Sequence, residues 1–200
     1  MVDKYGTDGD PSCYPGTSTL INLLNIQDAN ELEDAERDIT LLNATEIEFS
    51  PPPYNLDYLC KIHKTLFQDI YAWAGEVRDI DISKENTRFC NVNRVIPEAE
   101  KLFSKLAQLD YLENTERSSL IQLIAEYYGE INMLHPFREG NGRTQRILFE
   151  HLIINTGHKI SWSNITREDW LKANIASVYC DYSLLESIFD NCIGARIENQ

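Results

Sequence analysis

A twelve-residue segment of this chain combines side chains that suit the handling of a phosphorylated ligand. It reads His135-Pro136-Phe137-Arg138-Glu139-Gly140-Asn141-Gly142-Arg143-Thr144-Gln145-Arg146. An unperturbed histidine has a pKa of about 6.5, so its neutral form can accept a hydroxyl proton near neutral pH. A glutamate among cations can lie beside a polyphosphate if Mg²⁺ joins the two, because this ion binds carboxylate and phosphate oxygens together. The segment therefore predicts a general base, His135, close to a magnesium ligand, Glu139.

The same segment carries features that favour anion binding. Gly140-Asn141-Gly142 offers consecutive backbone N–H groups in conformations that a Cβ would hinder, and such groups can form a nest for phosphate oxygens. The helical spacing of apolar residues just after this turn predicts a helix N-terminus there, whose dipole adds to the attraction. Arg143 and Arg146 are spaced i,i+3, so both guanidinium groups can lie along one polyphosphate.

Simpler interpretations exist for each piece taken alone. An isolated His-Pro-Phe is typical of a buried histidine at a helix end, and an isolated Gly-Asn-Gly is typical of a turn. Their joint occurrence with the acid and both arginines favours a catalytic site. An inactive, nucleotide-binding protein is the remaining alternative.

The segment resembles the signature of the Fic family, H-x-F-x-(D/E)-G-N-G-R-x-x-R, at every fixed position. The resemblance implies transfer of AMP from ATP to a Ser, Thr or Tyr hydroxyl of a target protein. It implies that His135 deprotonates the target and that Glu139 holds Mg²⁺. The implied phosphate-binding residues are Gly140, Asn141 and Gly142 as an anion hole, with Arg143 and Arg146 on the distal phosphates.

The rest of the chain resembles a bacterial Fic toxin of the single-domain type. This likeness is carried by Lys4-Tyr5-Gly6, Tyr14-Pro15-Gly16-Thr17 and the stretch from Asp69 to Gly75. In that family an inhibitory helix with the motif (S/T)-x-x-x-E-(G/N) sets its Glu against the second signature arginine, here Arg146. No Glu that precedes Gly or Asn in this chain has Ser or Thr four positions before it: these are Glu85, Glu113, Glu139 and Glu198. The resemblance therefore implies a separate, small helical antitoxin that supplies the inhibitory Glu, unless a divergent inhibitory helix is present.

Three functions follow as alternatives. The first is a protein adenylyltransferase, with type II topoisomerase subunits as the family's suggestion for the target. The second is a protein kinase like the Doc branch, which replaces the second glycine and the adjoining arginine of the signature. Because Gly142 and Arg143 are present here, the first alternative is favoured. The third is a non-catalytic interaction module that binds nucleotide.

Composition limits the class of protein. Two hundred residues with 42% hydrophobic content predict a single domain, 1–200, with a Fic core of about 55–193 and a helical N-terminal extension over 1–50. The chain lacks an apolar run of membrane-spanning length and a signal peptide, and its five cysteines form no paired motif, so we expect a cytoplasmic protein with free thiols. A net charge of −14 argues against direct nucleic-acid binding.

Apolar periodicity predicts a mainly α fold, a Fic-type helical bundle. An acidic surface helix is expected from Asp28 through Leu42, and Asn55 is expected to cap a helix that runs up to Gly75. Further helices are predicted after Pro97, up to Pro136, after Gly142, over Trp170–Ala176 and over Tyr182–Ile193.

Between Val77 and Cys90 the pattern changes to alternation, which predicts a short β-hairpin turning at Lys84-Glu85-Asn86-Thr87. In Fic proteins a hairpin at this place, the flap, lies over the active site and pairs with an extended segment of the target. The resemblance therefore implies a target-docking role for Ile80, Ile82, Arg88 and Phe89. A plain surface loop between two helices is the alternative interpretation.

Overall fold

The structure is a computed structural model that describes residues 12–84, 87–163 and 165–198. Seven α-helices make up most of this part of the chain. They are α1 (Ala29–Ala44), α2 (Leu56–Phe67), α3 (Val95–Gln108), α4 (Arg117–Leu134), α5 (Asn141–Asn155), α6 (Arg167–Ser177) and α7 (Ser183–Cys192). Two antiparallel pairs of short strands complete the described fold: β1 (Ser83–Lys84) with β2 (Thr87–Arg88), and β3 (His158–Ile160) with β4 (Ile193–Arg196). The prediction of a mainly helical bundle with a hairpin is confirmed.

The core forms around α4 and α5, the two helices that flank the signature segment. One broad face of α4 is buried against α3, α5 and α7, and α5 packs on α2 from its other side. Helix α1 packs on α2. The loop between α4 and α5 thus lies beside α2, α4 and α5. Their packing restricts the motion of the side chains that the loop carries.

Capping residues set several helix boundaries, and the predicted cap at Asn55 is confirmed. The side chain of Asp28 accepts hydrogen bonds at the start of α1, and that of Asn55 accepts one from Tyr58 N–H at the start of α2. Helix α4 ends at Leu134, with His135 as its C-cap directly before Pro136. Gly157 has a φ of +79° just after α5, a backbone conformation that suits glycine at a helix C-terminus.

Two predictions about the first helices are wrong in part. Helix α2 ends at Phe67 and does not reach Gly75, because tertiary hydrogen bonds replace helical ones: Leu23 N–H donates to Ile70 O (2.8 Å) and Gly75 N–H to His63 Nδ1 (2.8 Å). Helix α1 is not purely a surface helix. It buries four residues on the side that faces α2 and the signature: Leu32, Glu36, Thr40 and Asn43.

The pairing of β3 with β4 was not predicted. The motif Lys4-Tyr5-Gly6 and the hairpin turn residues Glu85 and Asn86 lie outside the described residues. All five cysteines are free thiols. Among the helices that the structure describes, none has the length and apolar content needed to span a bilayer.

Candidate active site

The loop between α4 and α5 is closed by the side chain of Asn141, the first residue of α5. Its Oδ1 accepts from Phe137 N–H at 2.8 Å, and its Nδ2 donates to Phe137 O at 2.7 Å. The Phe137 ring is fully buried and anchors the loop in the core. The Asn141 amide therefore shapes the loop, and only its backbone N–H is left for the anion hole that the sequence predicted.

His135 lies at the C-terminal end of α4 in a left-handed conformation, with φ 43° and ψ 61°. Its Nδ1 lies 3.0 Å from Asn132 O. Because a carbonyl can only accept, Nδ1 carries the proton and Nε2 keeps its lone pair. Burial lowers the pKa of His135 to about 4, so the imidazole is neutral at physiological pH. These properties suit a general base that acts through Nε2.

A second histidine, His63 of α2, packs against the loop between α4 and α5. Its ring stacks on Phe137 with centroids 3.9 Å apart. Nδ1 accepts from Gly75 N–H, so Nε2 carries the proton and donates to Glu139 O at 3.0 Å. Burial lowers the pKa of His63 to about 4 and keeps it neutral. His63 is fully buried in the core, where it supports the backbone of Glu139.

The two glycines of the turn have different requirements. Gly140 has a φ of +80°, and a Cβ there would lie 2.3 Å from two ring carbons of Phe67, so conformation and packing both demand glycine. Gly142 has no positive φ, and a Cβ there would meet only Arg146 Nη1, at 3.7 Å. No contact with the described protein requires glycine at position 142.

Backbone N–H donors lie at the start of α5, next to Glu139. Gly140 N–H donates to Glu139 Oε1 at 2.9 Å, so this donor is occupied by a carboxylate. The N–H groups of Asn141 and Gly142 lie in the first turn of α5, where no intrahelical acceptor exists, and no described residue accepts from them. These N–H groups are therefore available as donors to an anion, and their role in phosphate binding stays a prediction.

Arg143 is held by α1, which the sequence did not predict. Its Nη2 forms a close ion pair with Glu36, and its Nη1 lies 3.3 Å from Thr40 Oγ1. The other oxygen of Glu36 accepts a short hydrogen bond from the Tyr71 hydroxyl. Glu139 Oε1 is 3.7 Å from Arg143 Nη2, so the guanidinium lies between two carboxylates. Sequence offered no signal for Glu36, since it is one of many acids on an acidic helix.

The charged side chains of the signature line a cavity of about 960 Å³ between α1 and the start of α5. Its wall includes Arg138, Glu139, Arg143 and Arg146, with Lys84 of β1 at its edge. Six cationic and five acidic side chains line it, in a chain whose net charge is −14, so the cavity is less negative than its surroundings. The Arg146 guanidinium is half-buried and forms no hydrogen bond or ion pair with any residue that the structure describes. The cavity has room and charge for a phosphorylated ligand.

The hairpin residues fall into two groups. Ile82 and Phe89 are buried against each other with Ile80 packed beside them, and the Phe89 ring stacks on His135 with centroids 3.8 Å apart. Arg88 is exposed and forms an ion pair with Asp81. The apolar side chains predicted as docking residues thus pack against the protein, and Arg88 is the one of the four with an exposed side chain.

Comparison with known proteins places this geometry in a family. A sequence model of the Fic/DOC family matches residues 53–153. The chain is 40% identical to a Salmonella typhimurium LT2 protein named "Probable protein adenylyltransferase Fic", and the match covers the full length of both chains. It is 39% identical to the Escherichia coli K12 protein of that name, again over both full lengths. Among solved structures, BepC of Bartonella tribocorum with bound AMPPNP has a TM-score of 0.84 at 27% identity, covering 92% of this chain and 97% of that one.

Proposed function

This chain belongs to the Fic/DOC family, and on that premise we propose that it is a protein adenylyltransferase that transfers AMP from ATP to a hydroxyl side chain of a target protein. The observation that carries the proposal is the closed loop between α4 and α5. At one end of the loop is the neutral base His135, and at the other is a helix N-terminus with donors for phosphate. A base and an anion site at the two ends of one short loop suit nucleophilic attack on a phosphate.

In the proposed reaction, His135 Nε2 accepts the proton of the target hydroxyl. The target oxygen then attacks the α-phosphorus of ATP, the bond to the β-phosphate breaks, and pyrophosphate leaves. The N–H groups of Asn141 and Gly142 would stabilise the charge that develops on the α-phosphate oxygens. The hydrogen bond from Nδ1 to Asn132 O supports this role for His135, because it keeps the lone pair on Nε2.

Arg143 and Arg146 are proposed to bind the distal phosphates. The two differ in that Arg143 forms an ion pair with a carboxylate and Arg146 forms none with a described residue. Arg146 lines the cavity without an ion pair to a described residue, so a phosphate need not displace a carboxylate from it. Arg143 is already paired with Glu36, and that pair would hold its guanidinium in place while its other donors face the phosphates.

Glu139 is proposed to hold Mg²⁺ together with phosphate oxygens. Its carboxylate lies on the cavity wall beside Arg143 and at the anion site. A single carboxylate with phosphate and water is a common environment for this ion, which would neutralise phosphate charge and orient the triphosphate. The donor set fits Mg²⁺ bound with its nucleotide.

The hairpin is proposed to dock an extended segment of the target by strand addition. The two-stranded pairing supports docking through main-chain hydrogen bonds, since β2 pairs with β1 and with no other described strand, which leaves its second edge for a target strand. Arg88 would then contact the side chains of the target from its exposed position.

Labelled ATP tests the activity and separates its alternatives. The protein is incubated with bacterial lysate and ATP labelled at the α- or the γ-phosphate, with His135→Ala as the control. We expect α-label on an acceptor protein with the wild type only. Incorporation of γ-label alone would mean phosphorylation of the Doc type, and neither label would favour a non-catalytic module.

We further propose that the protein is the toxin of a toxin–antitoxin pair and acts in the cytoplasm. A small helical antitoxin would set its inhibitory Glu against Arg146, whose position on the cavity wall makes it reachable by an outside carboxylate. Copurification of the chain from its native operon tests this: a lone, active protein without a small partner would refute it. Type II topoisomerase subunits are the proposed targets, and purified subunits that take up no α-label would exclude them.

A further inference from the structure

Arg78 is a buried arginine that connects the signature to both ends of the hairpin. It follows Gly75 by three residues and has only 5% of its surface exposed. Its role was not predictable from the sequence, because most of the carbonyls that it contacts belong to residues 12 or more positions further along the chain.

Its guanidinium donates to backbone carbonyls from three segments. Nε donates to His135 O at 2.8 Å, and Nη2 donates to Leu134 O at 3.3 Å, both at the C-terminal end of α4. Nη1 donates to Ile80 O at 2.5 Å before β1, and Nη2 also donates to Cys90 O after β2. The backbone N–H of Arg78 adds a bond to Pro136 O at 2.9 Å.

These bonds meet where the backbone is strained. His135 is a non-glycine residue with φ 43° and ψ 61°, a conformation that L side chains adopt only when their surroundings impose it. In this conformation its carbonyl points to Arg78 Nε, and its ring stacks on Phe89. A lysine could not replace the arginine, since only a guanidinium has donors in a rigid planar fork that spans several carbonyls.

We propose that Arg78 is a positioning residue for His135, which joins the base and the two ends of the hairpin into one rigid unit. The proposal rests on the proposed function in one respect: the base must meet a target hydroxyl that the hairpin holds. Arg78 then fixes the distance between the docked target segment and Nε2. Loss of the fork would let His135 leave its left-handed conformation and move its ring away from the reacting atoms.

The test compares Arg78→Lys with a matched control, Arg117→Lys. Arg117 also donates to backbone carbonyls, those of Asp190, Ile193 and Gly194, but at the far end of α4. We expect Arg78→Lys to lower kcat for α-label transfer to the lysate acceptor by about 10- to 100-fold. Its Kd for AMPPNP should stay within about twofold of wild type. We expect Arg117→Lys to lower the Tm and leave kcat unchanged.

Imidazole ¹⁵N NMR adds a measurement that needs no activity. The His135 signals are assigned by their loss in His135→Ala. Wild type and Arg117→Lys should show a single Nδ1–H tautomer, and Arg78→Lys a mixture of tautomers. Wild-type kcat together with one tautomer in Arg78→Lys would overturn the proposal.

Should Arg78→Lys fail to fold, hydrogen exchange in the wild-type protein decides. The Nε–H of Arg78 should be protected from exchange far more than that of the exposed Arg117, and a fast-exchanging Arg78 would overturn the proposal. A wild type that transfers no α-label would refute the proposed function instead, while the tautomer and exchange measurements would still decide the role of Arg78.

Discussion

Replacing each glycine of the signature turn with alanine should separate the fold from the phosphate site. At Gly140 the new Cβ would sit at φ +80° and lie 2.3 Å from the Phe67 ring. The left-handed conformation costs about 1–2 kcal/mol and overpacking costs about 1–3 kcal/mol, so Gly140→Ala should lower the free energy of unfolding by about 2–5 kcal/mol. At about 2–4 °C per kcal/mol for a chain of this size, the Tm should fall by roughly 4–20 °C.

Gly142→Ala should behave in the opposite way. The residue is helical and its Cβ would meet only Arg146 Nη1, at 3.7 Å, so the Tm should stay constant or rise by a few degrees. The methyl group would enter the space proposed for phosphate at the N-terminus of α5. We expect AMPPNP to bind at least about 10-fold more weakly, which corresponds to about 1.4 kcal/mol.

Calorimetry measures both quantities on the same samples. Gly157→Ala is the matched control, because Gly157 has a φ of +79° with no atom within 4 Å of a new Cβ. It should show the conformational cost alone, about 1–2 kcal/mol, with unchanged AMPPNP affinity. Wild-type affinity in Gly142→Ala would refute the assignment of the anion site, and a wild-type Tm in Gly140→Ala would refute the packing argument.

Three other variants or conditions probe the chemistry. His135→Ala should abolish α-label transfer and keep AMPPNP affinity, measured by calorimetry, because the base contacts no phosphate; full activity would refute the mechanism. Arg146→Ala should weaken AMPPNP binding by about 10- to 100-fold with little change in Tm, since the guanidinium forms no bond to a described residue; unchanged affinity would count against its role. Because only neutral His135 accepts a proton and its pKa is lowered to about 4, kcat/KM should be constant as the pH falls toward 5 and decline below that. Bound triphosphate adds negative charge that raises this pKa, so the acid limb of kcat should lie at higher pH; a kcat/KM limb near 6.5 would contradict the burial argument.

Local signals in the sequence predicted the parts of the fold that local physics determines. Asn55 marks the start of a helix, because capping depends on neighbours along the chain. The turn between α4 and α5 was predictable for the same reason. The end of α2 was not, because the hydrogen bond from Gly75 N–H to His63 joins residues whose approach depends on the tertiary fold.

The same distinction between local and tertiary interactions applies to the candidate site. The signature predicted a set of nucleotide-binding residues, since their chemistry lies in one short segment. The residues that hold them came only from the structure: Glu36 on Arg143, His63 on the carbonyl of Glu139, and Arg78 on the carbonyl of His135. Each acts across a long sequence separation, and in the sequence each is an ordinary charged or titratable residue without a distinctive spacing.

The mass of the modified acceptor tests the central claim most directly. The acceptor labelled in the lysate is purified after reaction with unlabelled ATP, digested, and analysed by mass spectrometry, with His135→Ala run in parallel. We expect one Ser, Thr or Tyr side chain to gain the mass of an adenosine monophosphate group with the wild type and nothing with the variant. A gain of a single phosphate group, or the same adenylylated peptide with His135→Ala, would contradict the account.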